Sequence, residues 1–138
     1  MEHNMFCFQC EQTAGCTGCT GRAGVCGKQA DTAKLQDALT GALIALARTI
    51  QGKQTISAQI SKQILDGLFT TVTNVNFNDV TIQQRIDAIH RELPAGTADY
   101  DMNKVWEAQE DVRSLKSLIL FGIRGMAAYA YHAMILGY

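Results

Sequence analysis

Beyond residue 30 apolar side chains recur at helical spacing. Leu35, Leu39, Ala42, Leu43, Leu46 and Ile50 share one face, with Asp31 or Thr32 as the N-cap and Gly52 as a natural stop. Ser57 offers a cap for a second helix carrying Ile60, Ile64, Leu65, Leu68, Phe69 and Val72. A third begins at Asp79 or Thr81, turns Ile82, Ile86, Ile89 and Leu93 inward, and ends at Pro94, the only proline. A linker over 94–99 follows, then a helical lead-in from Met102 to Asp111 with the single Trp106. The last helix, from Val112 towards Leu136, is the most apolar. About 24 residues make a rod of about 36 Å, and its apolar positions exceed one stripe, which predicts a central place or a missing partner. Gly122 and Gly125 each lower its helix propensity by roughly 1 kcal/mol relative to Ala, which predicts a closely packed neighbour.

Between the second and third helices, Thr73-Asn74-Val75-Asn76-Phe77-Asn78-Asp79 weakens helix through β-branched residues and asparagines. Val75 and Phe77 are expected to plug the core from a helix–helix turn; the other reading is a shaped loop near a cofactor. No strand alternation, internal repeat or low-complexity stretch is visible. The fold class read from the pattern is all-α, a bundle of three to four long helices over residues 31–138.

Residues 1–30 have the opposite character. All five cysteines and five of the twelve glycines lie between Phe6 and Lys28, with no aliphatic run to build a core. A segment of that kind is not ordered by burial, so its sulfurs must order it. Cys7-x2-Cys10 is a chelating pair, and Cys19 and Cys26 follow after eight and six residues. Four thiolates on a flexible loop suit an iron–sulfur cluster, and Gly15, Gly18, Gly21, Gly24 and Gly27 bring backbone N–H groups that could approach sulfide. A zinc site on Cys7, Cys10, Cys16 and Cys19 is the competing reading, although its two pairs are unusually close in sequence. Disulfides fit less well, because the remaining residues read as a cysteine-free core.

Composition narrows the picture further. The chain has 138 residues and a formal charge of −1, enough for one domain and without a basic stripe for nucleic acid. Its polar start reads as no signal peptide, and its apolar stretches are interrupted by Gly, Arg or Lys, so no membrane span is expected. Five thiols suit a reducing cytoplasmic setting. His3 and His90 read as solvated, and His132 as a half-buried packing residue. Outside the cysteine loop no acid, base or nucleophile set stands out.

The run Met5-Phe6-Cys7-Phe8-Gln9-Cys10-Glu11-Gln12-Thr13-Ala14, with Gly18-Cys19-Thr20 and Gly24-Val25-Cys26-Gly27-Lys28, resembles the start of the hybrid cluster (prismane, hydroxylamine reductase) proteins. Thr73 to Phe77, Glu110 to Leu115 and Gly122 to Tyr129 resemble the same family, so the likeness runs nearly the whole chain in order. It implies that Cys7, Cys10, Cys19 and Cys26 ligate a cluster, 4Fe–4S in preference to 2Fe–2S, while Cys16 has no counterpart. It also implies that reduction of hydroxylamine to ammonia and water, or of related nitrogen oxides, occurs at a hybrid cluster whose ligands lie downstream. This chain is then an electron-transfer domain of a longer protein, inactive alone, with the remaining domains and an electron-donating redox partner as its partners. Exposure to air is expected to strip the cluster. The alternative is a non-redox zinc-binding or interaction domain.

Overall fold

A computed structural model describes residues 5–10, 15, 17–73 and 75–138. Its five helices are α1 (Ala30–Ile50), α2 (Ala58–Thr70), α3 (Asp79–His90), the short α4 (Asn103–Trp106) and α5 (Glu110–Ile135), with no strands among the described residues. The all-α bundle is therefore as the periodicity predicts.

The main core is Leu39, Ala42, Leu43 and Leu46 of α1 against Ile82, Ile86 and Ile89 of α3, with Ile60, Ile64 and Leu68 of α2 closing one side. Two expected starts hold. Ser57 accepts from the Ile60 N–H, and Asn78 accepts from the Thr81 N–H at the head of α3. At α1 the expectation fails. The helix begins at Ala30 behind Gln29, which makes no side-chain cap, and Asp31 and Thr32 lie inside its first turn. Thr32 instead donates to Asp79 Oδ1 at 2.6 Å, tying the starts of α1 and α3 together.

The central helix is α1, buried at 11 of its 21 positions. Small residues allow this, since Ala33, Gly41, Ala42 and Ala45 leave room for neighbours on two sides. At Gly41 the linker ahead of α4 lies directly on the helix. The Tyr100 N–H donates to the Gly41 carbonyl at 3.1 Å, and a Cβ on Gly41 would strike the Tyr100 carbonyl oxygen.

The most apolar helix is on the outside. Only Ser117, Arg124 and Ala127 of α5 are buried, and its inner side leans on α2 through Phe69 stacked on Tyr131 at 4.3 Å. Leu118, Met126 and Tyr129 are 67%, 74% and 83% exposed. Nothing lies within 4 Å of where a Cβ would stand on Gly122 or Gly125, so the close neighbour expected there does not come from the described part of this chain. By length and composition α5 is apolar enough to cross a membrane, against the reading that no stretch is. His132 is exposed, its ring edge on Phe69 at 5.6 Å, rather than half-buried. His90 is exposed as expected, and its Nε2 meets the Asp99 carboxylate at 2.9 Å. His3 lies outside the described residues.

Val75 and Phe77 do not plug the core; both are exposed. The segment is held by polar contacts instead: Gln36 Nε2 donates to the Asn76 carbonyl at 2.8 Å, and Thr73 Oγ1 to the Gln9 carbonyl at 3.1 Å. The loop thus borders the cysteine segment.

Gly41→Ala should destabilise the chain by about 1–3 kcal/mol, because the obstruction is backbone. Gly122→Ala should stabilise the isolated chain by up to about 1 kcal/mol, since the added methyl meets open space. Urea unfolding followed by helical circular dichroism measures both, and equal effects would contradict this packing.

Candidate metal centre

The cysteine segment is built on one backbone pairing. Cys7 and Cys19 form an isolated antiparallel bridge, the Cys7 N–H donating to the Cys19 carbonyl at 3.0 Å and the Cys19 N–H to the Cys7 carbonyl at 2.8 Å. Gly18 makes this possible. Its φ is +66°, and a Cβ there would stand 2.6 Å from the Cys7 carbonyl oxygen. Side chains 5–8 alternate as an extended strand should. Met5 and Cys7 pack against Ala33 of α1, while Phe6 and Phe8 turn to Trp106, with Phe8 and Trp106 ring centres 5.6 Å apart.

A second turn carries Cys26. The Gly24 N–H donates to the Lys28 carbonyl and the Gly27 N–H to the Gly24 carbonyl, each at 2.8 Å. These two glycine N–H groups close the turn and are not free for sulfide, contrary to expectation. Cys7, Cys10, Cys19 and Cys26 are all free thiols; Cys7 is buried, Cys10 and Cys19 are half-buried and Cys26 is exposed. The structure pairs Cys7 with Cys19 and sets Cys26 on the following turn. Among the described residues no three His, Cys, Asp or Glu side chains come close enough to hold a single metal ion. Cys16, which the zinc reading requires, lies outside the described residues.

Beneath Cys7 runs a buried polar chain that the sequence did not announce. Lys28, 2% exposed, places Nζ 3.6 Å from Cys7 Sγ and 3.1 Å from Gln9 Oε1. Gln9 Nε2 donates to Asp37 Oδ1 at 2.8 Å, and Trp106 Nε1 donates to Asp37 Oδ2 at 3.0 Å. The orientation of the Gln9 amide is forced, because lysine only donates and a carboxylate only accepts. The Gln9 backbone N–H also donates to the Cys7 sulfur. Arg124 reaches in from α5, donating through Nε to Thr71 Oγ1 at 3.0 Å and through Nη2 to Thr40 Oγ1 at 3.1 Å.

Burial dominates the electrostatics here. It pushes the Cys7 thiol up, against the opposing pull of Lys28 and the Gln9 N–H. It also pushes the Asp37 carboxyl up, against its bonds from Gln9 and Trp106 and the charges of Arg124 and Lys28, and it lowers Arg124. Of these groups the sequence reading assigned a role only to Cys7. Lys28 stood in the motif without a function, and Asp37 and Arg124 look like solvated charges until distant partners are known.

A family model described as the Prismane/CO dehydrogenase family matches residues 5–138. The chain belongs to that family. Among relatives of this prismane-family chain, the hydroxylamine reductase of Desulfovibrio desulfuricans is 39% identical over 99% of the chain. Those of Methanocella arvoryzae and Clostridium perfringens are 38% and 37% identical over 96% and 98%. The chain spans about 30% of the length of these relatives. The first alignment runs over 169 positions, so at least 31 of them have no residue in the 138-residue prismane-family chain.

Because Asp37 is raised in the folded state, that state binds its proton more tightly than the unfolded chain does. The Asp37 contribution is therefore fully present below the ordinary carboxylate value, about 3.9, and is lost as pH rises through the folded value. Urea unfolding between pH 4 and 7 should show the stability of the metal-free wild type falling relative to Asp37→Asn as pH rises. A difference that stays level across this range would contradict the placement of Asp37.

Proposed function

We propose that this chain is an iron–sulfur electron-transfer domain of a hydroxylamine reductase-like hybrid cluster protein in a cytoplasmic setting. Cys7, Cys10, Cys19 and Cys26 would hold the cluster, 4Fe–4S in preference to 2Fe–2S. The observation that carries this reading is the buried Lys28 ammonium against the Cys7 sulfur. A cation so placed favours a thiolate, and with it a metal-bound sulfur, against the burial that raises the free thiol. The donor chemistry fits as well: four free cysteine sulfurs on a glycine-shaped segment. The names of the relatives support the parent chemistry, and the share of their length that this chain spans supports a domain of a longer protein.

When bound, the cluster supplies storage and passage of one electron at a time. The protein's part is to hold its sulfurs and to keep water from the Cys7 side of the site. The Cys7–Cys19 bridge fixes two sulfurs through backbone hydrogen bonds. Met5, Ala30 and Ala33 screen the inner side, and the Gln9–Asp37–Trp106 chain anchors the segment to α1 and α4. Complete reduction of hydroxylamine takes two electrons and two protons to ammonia and water. We read the chain alone as a carrier, because the resemblance implies that this step occurs at a hybrid cluster whose ligands lie downstream. The exposed face of α5 is the surface on which the remainder of such a protein would pack, and the electrons would come from a separate redox partner.

Anaerobic reconstitution with iron and sulfide tests the assignment. The wild type should gain iron, sulfide and broad visible absorbance. Cys10→Ser and Cys19→Ser should lose them, and Cys16→Ser should keep them. A colourless chain with one zinc, or iron lost in Cys16→Ser and kept in Cys26→Ser, would overturn the ligand set. Chelation of the iron should leave the helical signal nearly intact, because the bundle core contains no sulfur ligand. Cooperative loss of that signal on chelation would instead make the cluster a folding centre.

A further inference from the structure

Lys28 is among the largest fully enclosed side chains of the protein, yet among the described residues no carboxylate forms an ion pair with it. Among the described residues its ammonium meets Cys7 Sγ, Gln9 Oε1 and, 5.8 Å from the ring centre, the face of Phe77. The nearest acid in the chain of contacts, Asp37, stands behind Gln9. An amide oxygen and an aromatic face are weak compensation for an ammonium removed from water. Among these described partners the sulfur is the one whose negative charge can balance the cation.

The polypeptide places this cation deliberately. Lys28 closes the Cys26 turn through its carbonyl, so its position is fixed by the same turn that presents a second candidate ligand. Hydrogen bonds and charge at the sulfurs are among the factors that set a cluster's reduction potential. We infer that Lys28 is the positioning residue that tunes this centre, its buried ammonium at Cys7 Sγ raising the reduction potential and favouring the form with one more electron. The inference rests on the cluster reading above. Reduction takes one electron from a one-electron donor, a reduced viologen in the experiment below, which is oxidised by one electron. No bond breaks and no proton leaves Lys28.

The test is a redox titration of reconstituted wild type, Lys28→Met and Lys28→Arg, followed by visible absorbance and electron paramagnetic resonance. Iron content and circular dichroism are measured on the same samples. At a fixed solution potential, Lys28→Met should show a reduced-to-oxidised ratio about tenfold below wild type, a midpoint lower by about 59 mV for one electron. Lys28→Arg, which keeps the charge, should lie near wild type. Should Lys28→Met take up no iron, Lys28→Gln, neutral but still a donor, replaces it in the comparison with Lys28→Arg. Equal midpoints for neutral and charged variants of full iron content overturn the role of Lys28 and leave the cluster standing. A wild-type chain that binds no iron overturns the cluster reading and this inference together.

Discussion

An ammonium group that is 2% exposed needs negative charge or several good acceptors close by, and this requirement shapes the whole N-terminal third. Lys28 can be satisfied only if Cys7 and Gln9 are brought beneath it. That in turn requires the Cys7–Cys19 bridge and the positive φ of Gly18. Gln9 then needs an acceptor for its own N–H2 group, and Asp37 on α1 supplies one. Asp37 carries the requirement on to Trp106 of α4, so a residue at the end of the cysteine loop determines where two helices are gripped. A glycine-rich segment acquires a defined seat on the bundle through these directed polar bonds together with burial of Met5, Cys7 and Phe8, which the sequence reading did not expect to order it.

The helices were legible because their signal is local and periodic. Leu39, Leu43 and Leu46 on α1, and Ile82, Ile86 and Ile89 on α3, announce a face without any knowledge of the partner. The chelating pattern of Cys7, Cys10, Cys19 and Cys26 was legible for the same reason, as spacing is itself the signal. Lys28, Asp37 and Arg124 were not. Each is an ordinary surface residue type, and what buries it is a contact 21, 69 or 84 residues away in sequence. Phe77 misled in the other direction: an aromatic side chain in a turn looks like a plug, but here its face lies beside a cation.

The ranking of helices by apolar content also misplaced the centre of the bundle. A helix with neighbours on two sides must let them approach, so Ala and Gly are the better mark of centrality, and α1 carries them at 33, 41, 42 and 45. Tyr131 and Leu120 of α5 pack inward, but Leu118, Met126 and Tyr129 meet little of the described chain. A strongly directed feature on its inner face is Arg124, whose guanidinium bonds Thr40 and Thr71 and thereby fixes the register of α5 against α1 and α2. Polar bonds set where this helix lies; its apolar surface is largely left over.

Trp106 is the only tryptophan of the chain; its ring touches the cysteine segment at Phe6 and Phe8, while its indole N–H bonds Asp37 of α1, the residue that also holds Gln9. Its emission is therefore a built-in optical gauge of the N-terminal segment. With the segment seated, the indole is enclosed, hydrogen-bonded and in tilted contact with Phe6 and Phe8; once the segment lifts, the ring meets water and its spectrum moves to longer wavelength. Occupancy of the thiol loop and integrity of the bundle can thus be followed separately in one sample, by fluorescence for the former and helical dichroism for the latter.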